Sequence, residues 1–393
     1  MSSRPACGDA VALTKALVAI DSRNPELVPG GPGEGECARA LAEVLTDWGF
    51  RVEVRESVVG RPNVVARIGG ARGGGAGNER ALLLNGHLDT VGVEGMVHPP
   101  WDPVVRDGRL YGRGATDMKA GVAAMCAAAA RAARAPQGFA GEVIVAAVID
   151  EEYRSAGTRA LIESGIRASA AVVTEPTRLA ICPAHRGFAW LELVVHGRAA
   201  HGSRWDIGVD AIALAALVIA DLEDYQQQSL AKRSHPLLGR PSLHASIVTG
   251  GTELSTYPGR CAVQLERRTL PGETAADFAG EVEDACARVR VRRPELRTEV
   301  RPGFTQAPNE VAPDHPIVRA LQRSLGADAA QVEGLACWTD AALLTAAGIP
   351  AVCFGPGDIA LAHSAEEYVL VREVERATDV LTALISDWSR HAT

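Results

Sequence analysis

What this sequence lacks narrows it first. Its eight cysteines include no CxxC pair, and zinc clusters built on thiols need them at short, regular spacing. Cys182, Cys261 and Cys353 lie in apolar, strand-like runs, as reduced thiols buried in a cytosolic protein do. The net charge is −8 and no basic stripe is present, so nucleic acid is excluded as an expected partner. Apolar stretches such as 143–149 and 211–220 are too short to span a bilayer. The opening MSSRPACGDAVALTKAL lacks the charged-then-apolar order of a secretory signal. A cytoplasmic protein that avoids membranes is the expectation. The Gly-rich segment 69–78 has no Lys-Ser/Thr of a phosphate loop and reads as a hairpin loop. No internal repeat is visible.

What is present fits a soluble globular protein. The 393 residues are 47% hydrophobic and 22% charged, enough for two domains. Helical periodicity covers 9–19 and 36–48, the second ending at Trp48-Gly49 as a C-cap. Short β-rich runs follow at 51–56, 63–68 and 81–85. Residues 118–134 are Ala-rich and read as a buried helix, while 142–149 and 170–174 are continuous apolar runs, the mark of strands covered on both faces. This alternation predicts an α/β fold with a mostly parallel central sheet flanked by helices.

The style changes near residue 184. Residues 187–196 alternate, as a strand with one exposed face does, and strand-helix-strand-strand-helix signals run to about 297. From 298 to 393 helices and an apolar strand return in the first style. The expectation is a discontinuous catalytic domain, 1–183 and 298–393, with a smaller α+β domain inserted at 184–297.

Chemistry-bearing residues gather just after apolar runs. ALLLNGHLDT places His87 and Asp89 after one strand, VIVAAVIDEE places Glu151 and Glu152 after another, and AAVVTEP places Glu175 after a third. AVCFGPG is followed a short loop later by His363, and YGRGATDMKAG sets Asp117 at the start of the Ala-rich helix. Open α/β sheets collect ligands at the carboxyl ends of their strands, so these segments are positioned to meet. Two histidines and three carboxylates suit zinc, cobalt or manganese. With one carboxylate bridging, five residues give each of two cations three ligands. Adjacent Glu151 and Glu152 point apart, which leaves one to bind metal and the other to act as general base. Asp89 is placed to accept the second imidazole N–H of His87. Singly, an HxD turn, an EE pair or a TEP cap is unremarkable; jointly, in this order, they are not.

The segments GHLDTV, LYGRGATDMKAG, DEE, VVTEPT, HRGFAWLELVVHGRAAHGS, TLPGE and GIPAVCFGPG with AHSAEEYV resemble the acetylornithine deacetylase and succinyl-diaminopimelate desuccinylase branch of the co-catalytic dizinc peptidase and deacylase family. The resemblance implies one metal on His87, Asp117 and Glu175 and a second on Asp117, Glu152 and His363. It makes Asp117 the bridge, Glu151 the general base and Asp89 the residue that orients His87. It also implies a cis peptide after Asp117, a lid and dimerisation role for the inserted domain, a homodimer, an oxyanion-stabilising His201 that reaches the partner's site, and an Arg268 that binds a substrate carboxylate. Two departures fall in the substrate-contacting domain: GGTELS carries Ser255 where the family commonly has asparagine, and Glu266 stands where aspartate is common.

The resulting expectation is a hydrolase that cleaves the amide bond of an N-acyl amino acid or related small amide with metal-activated water. A dipeptidase or aminopeptidase of the same family is the rival enzyme. A non-catalytic binding protein of the same fold is the rival class, but it predicts a lost ligand or base, and none is missing. Carbamoyl-amide hydrolases rank lower, because they usually carry histidine where Glu175 stands.

Overall fold

The computed structural model describes residues 4–69, 81–136, 138–139, 141–326 and 330–391. Most of the expected 69–78 loop therefore lies outside the described residues. The chain divides into two compact units: Met1–Pro183, Val311–Glu333 and Thr339–Thr393 form the larger, and Ala184–Glu310 with Gly334–Trp338 form the smaller.

In the larger unit the sheet runs Arg51–Val58, Arg61–Gly69, Glu142–Val148, Leu82–His87, Ala170–Val173, Ala351–Cys353, Ile181–His185. Glu142–Val148, Leu82–His87, Ala170–Val173 and Ala351–Cys353 are mutually parallel, and their flanking partners are antiparallel. Parallel strands need crossovers, which the helices supply. Ala120–Arg134 packs on the Leu82–His87 strand and on the Val371–His391 helix. Its alanines allow that approach, and Gly121 allows the closest one: a Cβ there would lie 1.9 Å from the Thr174 carbonyl oxygen. The helix that starts beside Asp117 is thus pressed against the backbone that carries Glu175. The Asp117–Met118 peptide bond is cis, as the resemblance implied.

In the smaller unit four antiparallel strands run Ser242–Gly250, Arg260–Thr269, Gly187–His196, Arg297–Gln306. Leu191, Leu193 and Val195 alternate onto one face, where Val263, Leu265, Leu214, Val218, Phe278 and Val282 complete a core with helices Ala211–Gln228 and Ala275–Arg292. The opposite face carries Phe188, Trp190 and Phe304 in mutual ring contact.

One boundary differs from the sequence expectation. The return to the larger unit comes at Val311 rather than 298, because Arg297–Gln306 pairs along Gly187–His196 as a fourth strand. Its alternation of exposed and half-buried residues breaks at Pro302-Gly303, with a register shift between Pro302 and Thr305, which hid it from periodicity. All eight cysteines are free, six of them buried. No helix among the described residues is long and apolar enough to cross a membrane.

Candidate metal centre

Parallel strands point their carboxyl ends to one edge, and the larger unit uses that edge. His87 ends its strand; Glu151 and Glu152 follow Val148; Glu175 follows Val173 after one intervening residue; His363 comes after Cys353, beyond the Ile359–Leu361 turn. Asp117 enters from the kinked segment Ala115–Lys119.

The side chains converge. His87 Nε2 is 3.1 Å from Asp117 Oδ1, and His363 Nε2 is 3.4 Å from Asp117 Oδ2. The two oxygens of Asp117 therefore each face a different imidazole, the arrangement of a bridging carboxylate. His363 Nε2 is also 3.0 Å from Glu152 Oε2. Ligand-capable atoms of His87, Glu151 and Glu175 lie within 4.8 Å of one another, as do those of His87, Asp117 and Glu152. All five expected ligands and Glu151 are brought together, with Glu151 in the same group as His87 and Glu175.

Asp89 departs from expectation in one respect. Its main-chain oxygen, at 3.0 Å, accepts from His87 Nδ1, while its carboxylate is 3.6 Å away. That carboxylate is taken up elsewhere: it accepts the amide N–H groups of Glu151 at 3.1 Å and Glu152 at 3.2 Å, and Asn24 Nδ2 at 2.8 Å. Nδ1 is still committed as a donor, so Nε2, which faces Asp117, is the nitrogen that would meet a cation.

Sequence reasoning missed the support around this edge. Asn24 Nδ2 also donates to Asp150 Oδ1 at 3.0 Å. Arg61 binds Glu34 through Nε and Nη2, both at 2.7 Å, and reaches Asp150 at 3.1 Å. Asp150 adopts a left-handed φ of 65°, which turns the chain between the strand and Glu151. Asp340, also missed, is buried with Oδ2 accepting from Thr158 Oγ1 at 2.6 Å. An acid directly before an apolar helix, in WTDAALL, was the available signal.

The electrostatics of the bare cluster are those of a site that wants positive charge. Burial and neighbouring Glu175 push the Glu151 carboxyl well above its usual range, and burial and Asp117 do the same to Glu175. Hydrogen bonds to Asp117 and Glu152 push His363 up to about 10. Asp117 is held low: burial opposes its charge, but the hydrogen bonds from His363 and His87 overcome it. Glu175 Oε1 is buried with no hydrogen-bond partner among the described residues. Crowded carboxylates with an orphaned buried oxygen need protons or cations, and imidazole with carboxylate is a donor set that suits divalent metals. The residues fit a metal.

The remaining expected residues belong to the smaller unit. His201 is exposed, with Nδ1 2.8 Å from Ser203 Oγ. Exposed Ser255 accepts the Gly202 N–H at 2.7 Å through its carbonyl. Arg268 pairs with Glu266 and lies 5.5 Å over the Phe188 ring.

A carboxyl-edge cluster of histidine and carboxylate on a parallel sheet is a donor set able to take divalent metal. The chain belongs to Peptidase family M20/M25/M40, whose profile matches residues 83–387, and it is accordingly a hydrolase of carbon–nitrogen amide or peptide bonds. It is 28% identical to an N-formyl-4-amino-5-aminomethyl-2-methylpyrimidine deformylase of Bacillus subtilis, over 96% of this chain and 94% of the relative. It is 30% identical to an acetylornithine deacetylase of Myxococcus xanthus, over 84% of each. Among solved structures, an aminopeptidase of Bacillus cereus shares the fold with a TM-score of 0.78 at 20% identity, covering 96% of this chain and 98% of that one. A dinuclear metal-binding M20 peptidase of Bacillus subtilis aligns with a TM-score of 0.72 at 16% identity, over 96% of each chain.

Proposed function

We propose that this protein is a cytoplasmic, homodimeric dizinc deacylase that removes a small acyl group from the nitrogen of an amino acid or related amine. The observation that carries the reading is Asp117, each carboxylate oxygen facing a different histidine, with Glu151 alongside. His87, Asp117 and Glu175 would hold one cation, and Asp117, Glu152 and His363 the other. Such ions supply Lewis acidity to a scissile carbonyl and lower the pKa of water.

Glu151 accepts the proton of the attacking water and returns it to the departing amine. His201 donates to the developing oxyanion in the partner's site, and Arg268 takes the substrate carboxylate by its planar fork. Asp89 keeps His87 in the ligating tautomer through its main-chain oxygen.

The similarity to a deformylase and an acetylornithine deacetylase supports a short acyl group. Eight free cysteines support a reducing compartment. The edge strand Ser242–Gly250, with exposed Ile247 and Val248 and the nearby helix residue Ile212, supports pairing between two copies.

The test is a hydrolysis panel of N-acetylornithine, other N-acetyl amino acids, an N-formyl aminomethylpyrimidine and unblocked dipeptides, with metal content measured alongside. Release of the acyl group with two equivalents of zinc is expected. Turnover of dipeptides alone rejects the deacylase. No bound metal, with no activity after zinc or cobalt is added, rejects the enzyme.

A further inference from the structure

We propose that Glu367 is a positioning residue for Asp117: its buried carboxylate holds the main chain of that aspartate and so sets where both of its oxygens point. The proposal rests on the metal-centre reading above. Glu367 has no exposed surface. Its Oε1 accepts the amide N–H of Thr116 at 2.9 Å and of Asp117 itself at 3.1 Å. Its Oε2 accepts Arg113 Nη1 at 2.6 Å and the Gly114 amide at 3.1 Å. Four donors, one of them a buried guanidinium, occupy both oxygens. Burial pushes this carboxyl up, while Arg113 and the amides of Asp117 and Thr116 act to keep it ionised.

The local backbone is shaped for this. Gly114 has a left-handed φ of 81°, which turns successive N–H groups inward to make a concave anion cradle. The cradle holds an internal carboxylate in place of a ligand. Because its last donor is the Asp117 amide, any shift of Glu367 passes directly into the aspartate backbone. A carboxylate that serves two cations tolerates displacement of only about 0.5 Å.

The opposite wall repeats the device. Asp89, two residues after His87, accepts the amides of Glu151 and Glu152. Glu367, four residues after His363, accepts the amides of Thr116 and Asp117. Each histidine segment thus carries both an imidazole for the centre and a carboxylate that grips a loop bearing acids. Folding the two histidine segments into place fixes the acids at the same time.

Glu367→Gln and Glu367→Asp decide the matter with two readouts. The first is amide hydrogen exchange at residues 114–117 in chelator-treated protein. The second is the zinc dissociation constant from competition with a chelator. Glu367→Gln is expected to fold, to exchange the Thr116 and Asp117 amides faster than wild type, and to bind zinc about 10–100-fold more weakly, the usual cost of losing an outer-shell partner. Glu367→Asp keeps the charge but withdraws it by one methylene, so it falls between the two. Should the glutamine variant not fold, the aspartate variant decides by the same readouts. Wild-type exchange and wild-type zinc affinity in a folded variant overturn the proposal. So does a melting temperature lowered equally in metal-free and zinc-loaded forms with zinc affinity intact, the signature of a merely structural residue. If wild-type protein takes up no zinc, the metal-centre reading fails, while the exchange of residues 114–117 still decides the clamp.

Discussion

His363 Nε2 lies 3.4 Å from Asp117 Oδ2, and the same nitrogen lies 3.0 Å from Glu152 Oε2. One imidazole is thereby shared between two acids from distant parts of the chain, and a cation placed between them replaces a proton. Several consequences can be measured.

Without metal, the proton on His363 stabilises the fold. Its pKa is raised to about 10 by hydrogen bonds to Asp117 and Glu152, against about 6.5 when unfolded. Its contribution is fully present below about pH 6.5 and is lost as pH rises through about 10. Glu151 and Glu175, raised by burial, act in the same direction, their contribution declining already from about pH 4.3 upward. The metal-free protein should therefore melt at steadily lower temperature as pH rises from about 4.3 to 10, with the His363 share of the loss falling between about 6.5 and 10. Zinc uptake should release protons, seen as a buffer-dependent heat in calorimetry. A flat melting profile in chelator, with no proton release, would contradict this electrostatic picture.

Glu151→Gln removes a proton acceptor but none of the five proposed ligands. Turnover should fall at least about 10²-fold while zinc content stays at two per chain. Near-normal turnover would reassign the base. Loss of zinc would make Glu151 a ligand, which its place in the His87–Glu175 group makes a real alternative outcome.

Asn24 separates two buried carboxylates by donating to Asp89 and Asp150 from one nitrogen. Asn24→Asp puts a third acid between them and removes that donor. Stability should fall by about 1–3 kcal/mol at neutral pH, with partial recovery as pH is lowered and the acids take up protons. Denaturant unfolding at pH 5 and pH 8 measures both. Equal losses at the two values would count against the charge argument.

Arg268→Ala separates binding from chemistry. For substrates with a free carboxylate KM should rise about 10-fold or more, the cost of a lost charge-assisted contact, with kcat changing less. Amides lacking the carboxylate should be indifferent. Equal effects on both substrate types would remove Arg268 from substrate recognition.

For the smaller unit, Ile247→Glu with Val248→Lys should convert the proposed dimer to monomer in size-exclusion chromatography with light scattering. A wild-type protein already monomeric at micromolar concentration would exclude this strand as a stable interface.

The sequence carried much of this. Continuous apolar runs ending in GHLDT, IDEE and VVTEP announced parallel strands with acids and histidines at their carboxyl ends, and parallel pairing brings such ends to one edge. Alternation in 187–196 announced a half-open sheet. Less legible was Arg297–Gln306: its alternation breaks at Pro302-Gly303, where the pairing shifts register, so no unbroken period marks its ten residues as one strand. Asn24, Arg61 and Glu34 escaped because a polar residue in a loop looks the same whether it is solvated or locked in a buried network. Glu367 lies within AHSAEEYV, but three of its four donors are backbone amides, which every residue possesses, so its task is not legible there.

The amino-acid order alone thus determined which groups were available and at which strand ends they would emerge, because side-chain periodicity and strand length are local properties. Which oxygen of Asp117 meets which imidazole, and that Asp89 grips amides while its carbonyl orients His87, was decided only by tertiary packing. Those choices depend on distances between segments far apart in the chain, and no local pattern encodes them.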